Sequence, residues 1–307
     1  VRYNHVYKQL DKIFNKSFDS VNWYYLGKKY QNKQLSVIAS DIADEMFSQC
    51  PKIFNELVVR NEISSSAASG RKKLLEKMLE NPELENLGIE KFPAEKAIYL
   101  SCLKRLGMHE LNTEKNKWEF VIPKADKNEN HKLVKELLET GFDTIKNNKQ
   151  LISIEDLYKK ARWASEPFGL PQGILPIFAM ALLQAKKDHL AFYDKDVTQE
   201  YCFISDMDEE FINKLIKRPH EVAVKYVKTS SEKEDFLLTL SGSIKEIYGK
   251  TIEPQPLQVA RFIVSSTMKR SKWIKNSRDI EFFSSSTQKL RTTILKADDP
   301  YKLLFED

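Results

Sequence analysis

From Gly173 to Ala185 the chain reads GILPIFAMALLQA, almost free of polar side chains, although 30% of the residues in the whole sequence are charged. Such a segment has to be enclosed, because apolar surface left in water forgoes roughly 25 cal/mol per Å². It is far short of the roughly 20 apolar residues that cross a bilayer. It suits about three turns of helix and is long for a strand.

Its flanks are equally informative. Ser153 is placed to cap a helix whose inner face carries Ile154, Leu157 and Tyr158. Pro167 and Gly169 break the chain, and Pro176 fits a helix only in its first turn. Leu190 to Tyr193 and Tyr201 to Ile204 alternate as a hairpin does around Asp194 to Thr198. Helix, tight turn, helix and hairpin is the order of a winged helix-turn-helix, so residues 149–228 are expected to form a central winged-helix-like module. The second helix is too apolar to be an exposed recognition helix and is expected at the centre of the core.

Two further modules are expected, 1–148 and 229–307. In the first, Val6, Leu10, Ile13 and Phe14 have helical spacing, and Ile38, Ala39, Ile42, Ala43, Met46 and Phe47 form a clear stripe that Pro51 stops. Pro51 also suits the start of a helix through Ile53, Phe54, Leu57 and Val58 to Asn61. Ser64 then caps a basic helix that Asn81 and Pro82 close, giving a second helix-turn-helix-like unit. Helices are predicted over Ala94–Leu106 and His131–Ile145, a strand over Trp118–Ile122, and a linker over Lys146–Gln150.

Asp206, Asp208, Glu209 and Glu210 suit a helix N-terminus, Val222–Val227 reads as a strand, and Ser231 with Glu234 reads as a capping box. Helices over Leu257–Met268 and Thr287–Leu295 follow, then an apolar tail, Pro300–Phe305, that docks. The fold class expected is mainly α, multi-helical, with winged helix-turn-helix-like modules and one or two short β-hairpins.

No catalytic constellation is readable. Ala68-Ser69-Gly70-Arg71-Lys72 lacks the first glycine of a phosphate-binding loop, and the five histidines stand apart from Cys and carboxylates at ligand spacing. No metal site or cofactor is expected in this region. Cys50, Cys102 and Cys202 are far apart and read as reduced residues of a cytoplasmic protein. The chain opens at Val1 without a methionine, and a piece of a longer polypeptide is expected.

Binding signals are basic. Net charge is +5, because 44 acidic residues offset most of the 49 basic ones. Arg71, Lys72 and Lys73 form one cluster, which a solvated helix face explains more readily than phosphate contact. Lys186 and Lys187 are explained by a helix C-terminus. Lys269, Arg270, Lys272, Lys275 and Arg278 form a denser run around Trp273, a residue able to stack on a base or to anchor the segment.

The segments NELVVRN from Asn55, ISSSAA from Ile63 and RKKLLEKML from Arg71 carry a family resemblance. So do LGIE from Leu87, FPAE from Phe92, PFGL from Pro167, GILP from Gly173, and the ends Asp298-Asp299-Pro300 and LLFED from Leu303. In this order the chain resembles the region downstream of the ATPase domain in large bacterial P-loop proteins of phage-defence islands, such as BREX and related systems. The resemblance implies a non-catalytic DNA-binding or DNA-sensing region, with ATP and Mg²⁺ bound elsewhere in the full-length protein and with other defence-system proteins as partners. The alternative is a protein-interaction scaffold of the same complex. An unrecognised nuclease would need carboxylates that converge only in the fold.

Overall fold

The computed structural model describes residues 12–13, 22–30, 35–125, 128–227, 234–278, 281–295 and 299–305. The expectations placed on His5, Val6, Leu10, Phe14, Ser231, Asp298, Glu306 and Asp307 lie outside them.

A small hairpin of β1 (Trp23–Tyr25) and β2 (Lys28–Tyr30) precedes α1 (Leu35–Met46). Helix α2 (Ser65–Glu80) begins where Ser64 Oγ accepts the Ala67 amide at 3.3 Å, and it ends at Asn81. Its stripe of Ala67, Leu74, Leu75 and Met78 is buried. Helix α3 (Ala94–Tyr99) runs on as one π turn through Lys104. Strands β3 (His109–Asn112) and β4 (Lys117–Phe120) form a second hairpin, followed by α4 (Glu129–Asn147).

The centre of the molecule is a sheet of four antiparallel strands, β5 (Ile152–Ser153), β6 (Leu190–Lys195), β7 (Tyr201–Ile204) and β8 (Val222–Tyr226), in the order β5-β8-β6-β7. Between them in sequence lie α5 (Ile154–Lys160), α6 (Leu175–Ala185) and α7 (Glu209–Lys217). Registers Phe192 to Val224 and Tyr193 to Ala223 fix which side chains share a face. Leu190, Phe192, Val222 and Val224 join one buried cluster with α6, and Ala191, Tyr193, Phe203 and Ala223 join another with the C-terminal helices. A sheet covered on both faces reads as a continuous apolar run, and β6 does so through Tyr193.

The first cluster runs from Val58 to Val224 across position 148. At its middle every residue of α6 from Leu175 to Leu183 is buried, as the apolar run requires. The second face is closed by α9 (Pro256–Met268), which follows α8 (Glu234–Tyr248), and by Ile294 of α11 (Ser285–Leu295); a five-residue helix, α10 (Lys272–Asn276), lies between α9 and α11. The last helix, α12 (Pro300–Phe305), docks through Leu303 and Leu304, and Asp299 at its head pairs with Lys225 of β8.

Two expectations are corrected. The chain is mixed α/β, 54% helical with 12 helices and three small sheets among the described residues; helix predominates roughly as expected, but the fold is not plainly a set of winged helix-turn-helix modules. In the central module β8 inserts between β5 and the β6–β7 hairpin, whereas α6 is enclosed as its composition predicts.

The helix expected from Pro51 to Asn61 is also absent, and with it the second helix-turn-helix-like unit. Its backbone bonds go elsewhere: Lys52 N–H donates to Asn130 Oδ1 at 2.8 Å, and Arg60 C=O accepts Gly173 N–H at 2.8 Å. Asn61 Oδ1 accepts Gln172 N–H at 3.2 Å. Only Val59 N–H to Asn55 C=O, at 3.0 Å, follows a helical pattern within the segment.

Candidate nucleic-acid interface

Helix α9 buries Leu257, Ala260 and Val264 against the sheet, which sends its C-terminus, Met268, to the surface. Ser271 then caps α10 by accepting the Ile274 amide at 3.3 Å. Arg291 of α11 clasps this turn: it donates to the Ile274 carbonyl at 2.7 Å and to the Ser277 carbonyl, and its guanidinium lies 5.2 Å from the Phe283 ring centre. The basic run is therefore held at both ends.

Within it, Lys269, Arg270, Lys272 and Arg278 are exposed. Lys275 is half-buried and donates to the Met268 carbonyl at 3.2 Å, and Arg270 donates to the Tyr248 hydroxyl at 3.2 Å. Among the described residues none of these five cations has a carboxylate within 4.0 Å. Trp273 is 55% exposed and packs on Phe282 and Phe283 at 5.8 and 5.7 Å between ring centres. It anchors the turn locally, not in the main core, and still offers a face to solvent.

A groove of about 600 Å³ continues this surface, lined by Lys187, Lys250, Arg261, Lys269 and Arg270 against two carboxylates, Asp188 and Asp206. Arg261 donates to the Lys187 and Leu190 carbonyls at 2.9 and 2.7 Å and stacks over Phe192. Burial lowers its pKa while Asp206 and Asp188 support the charge, and a guanidinium stays protonated under that balance. Sequence reading missed Lys250 and Arg261 because the groove assembles from separate segments spread between Lys187 and Arg270, with no local pattern to mark it.

The other predicted cluster has a different fate. Arg71 is 8% exposed and donates to the Gly173 carbonyl at 2.9 Å. Lys72 pairs with Glu209 at 2.8 Å and Glu76 at 3.4 Å, which raises its pKa and lowers that of Glu209. Only Lys73 of the three is exposed. A signal was present: Arg71 falls on the stripe of Ala67, Leu74, Leu75 and Met78, four residues after the first and three before the second. Helix α2 also packs in the cluster on the opposite face of the sheet from α9, so the structure does not bring the two basic segments together.

The acidic run behaves as a helix start. Asp208 accepts the Phe211 amide at 2.9 Å, Glu209 holds Lys72, and Glu210 lies 3.1 Å from Lys214. Among the described residues no three His, Cys, Asp or Glu side chains are placed to hold a metal ion, and no helix is long and apolar enough to cross a membrane. Burial pushes the Cys102 thiol up to about 12, with the Ser101 hydroxyl working the other way. Comparison with protein-family models, curated proteins and solved structures gives no match to this chain.

Proposed function

We propose that this chain is a non-catalytic, duplex-DNA-binding region of a larger bacterial anti-phage P-loop ATPase, and that the surface around α10 makes the contact. The observation that carries the binding reading is the fixed turn bearing Lys269, Arg270, Lys272 and Arg278, exposed and without carboxylate partners among the described residues, beside Trp273. The defence context rests on the sequence resemblance alone. ATP and Mg²⁺ are assigned to other parts of the full-length protein.

Duplex binding across a salt series tests it. Four phosphates neutralised give a log–log slope of about −3.6, so affinity falls about 150-fold between roughly 50 and 200 mM salt. Lys272→Gln with Arg278→Gln halves the slope to about −1.8, a fall of about 12-fold over the same range. Binding that ignores salt, or a slope unchanged by the double substitution, refutes the assignment.

A second reading has its own support. Met268, Trp273 and Phe282 are 47%, 55% and 69% exposed beside the same cations, which suits a scaffold surface for another protein of the complex. Loss of partner binding in Trp273→Ala with duplex affinity unchanged would favour this scaffold role.

A further inference from the structure

Arg71 is a buried cation without a buried anion. Among the described residues the other buried lysine or arginine, Lys214, has Asp194 at 2.7 Å and Glu210 at 3.1 Å. Arg71 has the Gly173 carbonyl at 2.9 Å, and the ionisable group that faces it is Tyr158. Burial pushes the Tyr158 pKa up, against the opposite pull of Arg71, so the phenol is neutral and supplies no counter-charge. Glu155 is nearby, but Lys159 at 2.5 Å holds it.

The guanidinium is also under-used as a donor. Arg71 Nε and the Tyr158 hydroxyl are both enclosed with no hydrogen-bond partner. A guanidinium carries five N–H donors, and buried polar groups are almost always satisfied. Both side chains line a cavity of about 710 Å³, whose walls include Ile63, Leu175, Pro176 and Leu215. That volume lies within the range of small-molecule sites, which combine apolar walls with a few placed polar groups.

We propose that this cavity binds a small organic acid, whose carboxylate pairs with the Arg71 guanidinium while its hydrocarbon body lies on the Ile63, Leu175, Pro176 and Leu215 walls. One enclosed cation matches one carboxylate, and the planar fork of arginine fits its two oxygens. Lys159, Lys217 and Glu155 also line the cavity, so inorganic phosphate is the competing anion that the titration has to exclude. The site is independent of the DNA reading, since its helices belong to the cluster on the other face of the sheet from α9.

Isothermal titration of the 307-residue chain with benzoate, acetate and inorganic phosphate tests the assignment. Benzoate is expected to bind at one site and acetate at least about 10-fold more weakly, because it lacks the apolar body. Arg71→Met is expected to weaken benzoate by about 10- to 100-fold, the worth of a charge-assisted hydrogen bond. Ala164→Trp, at an exposed position of the cavity lining, is expected to abolish benzoate binding without lowering the thermal midpoint. No benzoate binding by the native chain up to roughly 50 mM, tighter binding of phosphate than of benzoate, or an unchanged affinity in Arg71→Met overturns the proposal. Where Arg71→Met does not fold, Ala164→Trp decides, and full benzoate affinity in that variant overturns it.

Discussion

Gly173 joins the segment before α2 to the start of α6, and it does so because it lacks a side chain. Its φ is not in the left-handed region, so space alone is at stake. A Cβ there would lie 2.3 Å from the Val58 carbonyl oxygen, 2.6 Å from that of Arg60 and 2.8 Å from Ile63 Cγ2. Two of the three are backbone atoms that cannot rotate away. Relief means moving the turn, which stretches the Gly173 amide bond to Arg60 at 2.8 Å and the Arg71 bond to the Gly173 carbonyl at 2.9 Å. Overpacking costs about 1–3 kcal/mol, and the two bonds add about 1 and about 1.5–3 kcal/mol with partial overlap. Gly173→Ala is therefore expected to lose about 3–5 kcal/mol.

Gly242, inside α8, is the control: nothing lies within 4 Å of its added Cβ. Alanine is the better helix former by about 0.8–1 kcal/mol, so Gly242→Ala is expected to gain stability. Urea unfolding of both variants followed by circular dichroism reads the opposite signs. A Gly173→Ala chain within about 1 kcal/mol of the native one, or a destabilised Gly242→Ala chain, refutes the steric account.

Two more expectations concern buried ionisable groups. His109 is 1% exposed, with Nδ1 at 2.9 Å from the Tyr99 hydroxyl and Nε2 at 2.9 Å from the Pro82 carbonyl. Burial lowers its pKa, the Pro82 carbonyl works the other way, and Lys104 adds to the lowering. The folded chain thus binds the proton less well than the unfolded one, so this stability is complete above about pH 6.5 and is lost as pH falls toward the folded pKa, by up to about 1.4 kcal/mol per pH unit. In urea titrations between pH 7.5 and 5.5, His109→Gln is expected to lose less stability than the native chain, and equal losses refute the assignment. Lys214 uses its three donors on Asp194, Glu210 and the Lys195 carbonyl. Lys214→Met strands the largely buried Asp194 and is expected to cost about 3 kcal/mol, part of which Asp194→Asn restores in the double variant; no recovery would show that the ion pair is not the cause.

What the sequence disclosed was local. Ser64, Ser153 and Asp208 cap their helices because each needs only an amide three residues ahead. The run from Leu175 to Leu183 announced its own burial. What it hid was pairing at a distance. Val222–Val227 reads as a strand, but nothing near it shows that its neighbours are Leu190–Lys195 and Ile152–Ser153, and that insertion separates this sheet from a winged-helix hairpin. Pro51 to Asn61 fails as a helix for the same reason, since Asn130, Gln172 and Gly173 compete for its polar groups from more than 70 residues away.

The candidate interface shows why both kinds of information matter. Charge density around Trp273 was visible in sequence, whereas the framework that makes it a surface was not. Covering the second sheet face with α9 and α11 leaves the connection between them outside, and Arg291 ties that connection to α11 through the Ile274 and Ser277 carbonyls. Lys269 to Arg278 therefore stands on backbone ordered during folding, and a tail of the same composition would have to lose that freedom on binding. Duplex affinity should accordingly depend on Arg291, which clasps the turn with its guanidinium and need touch no phosphate itself.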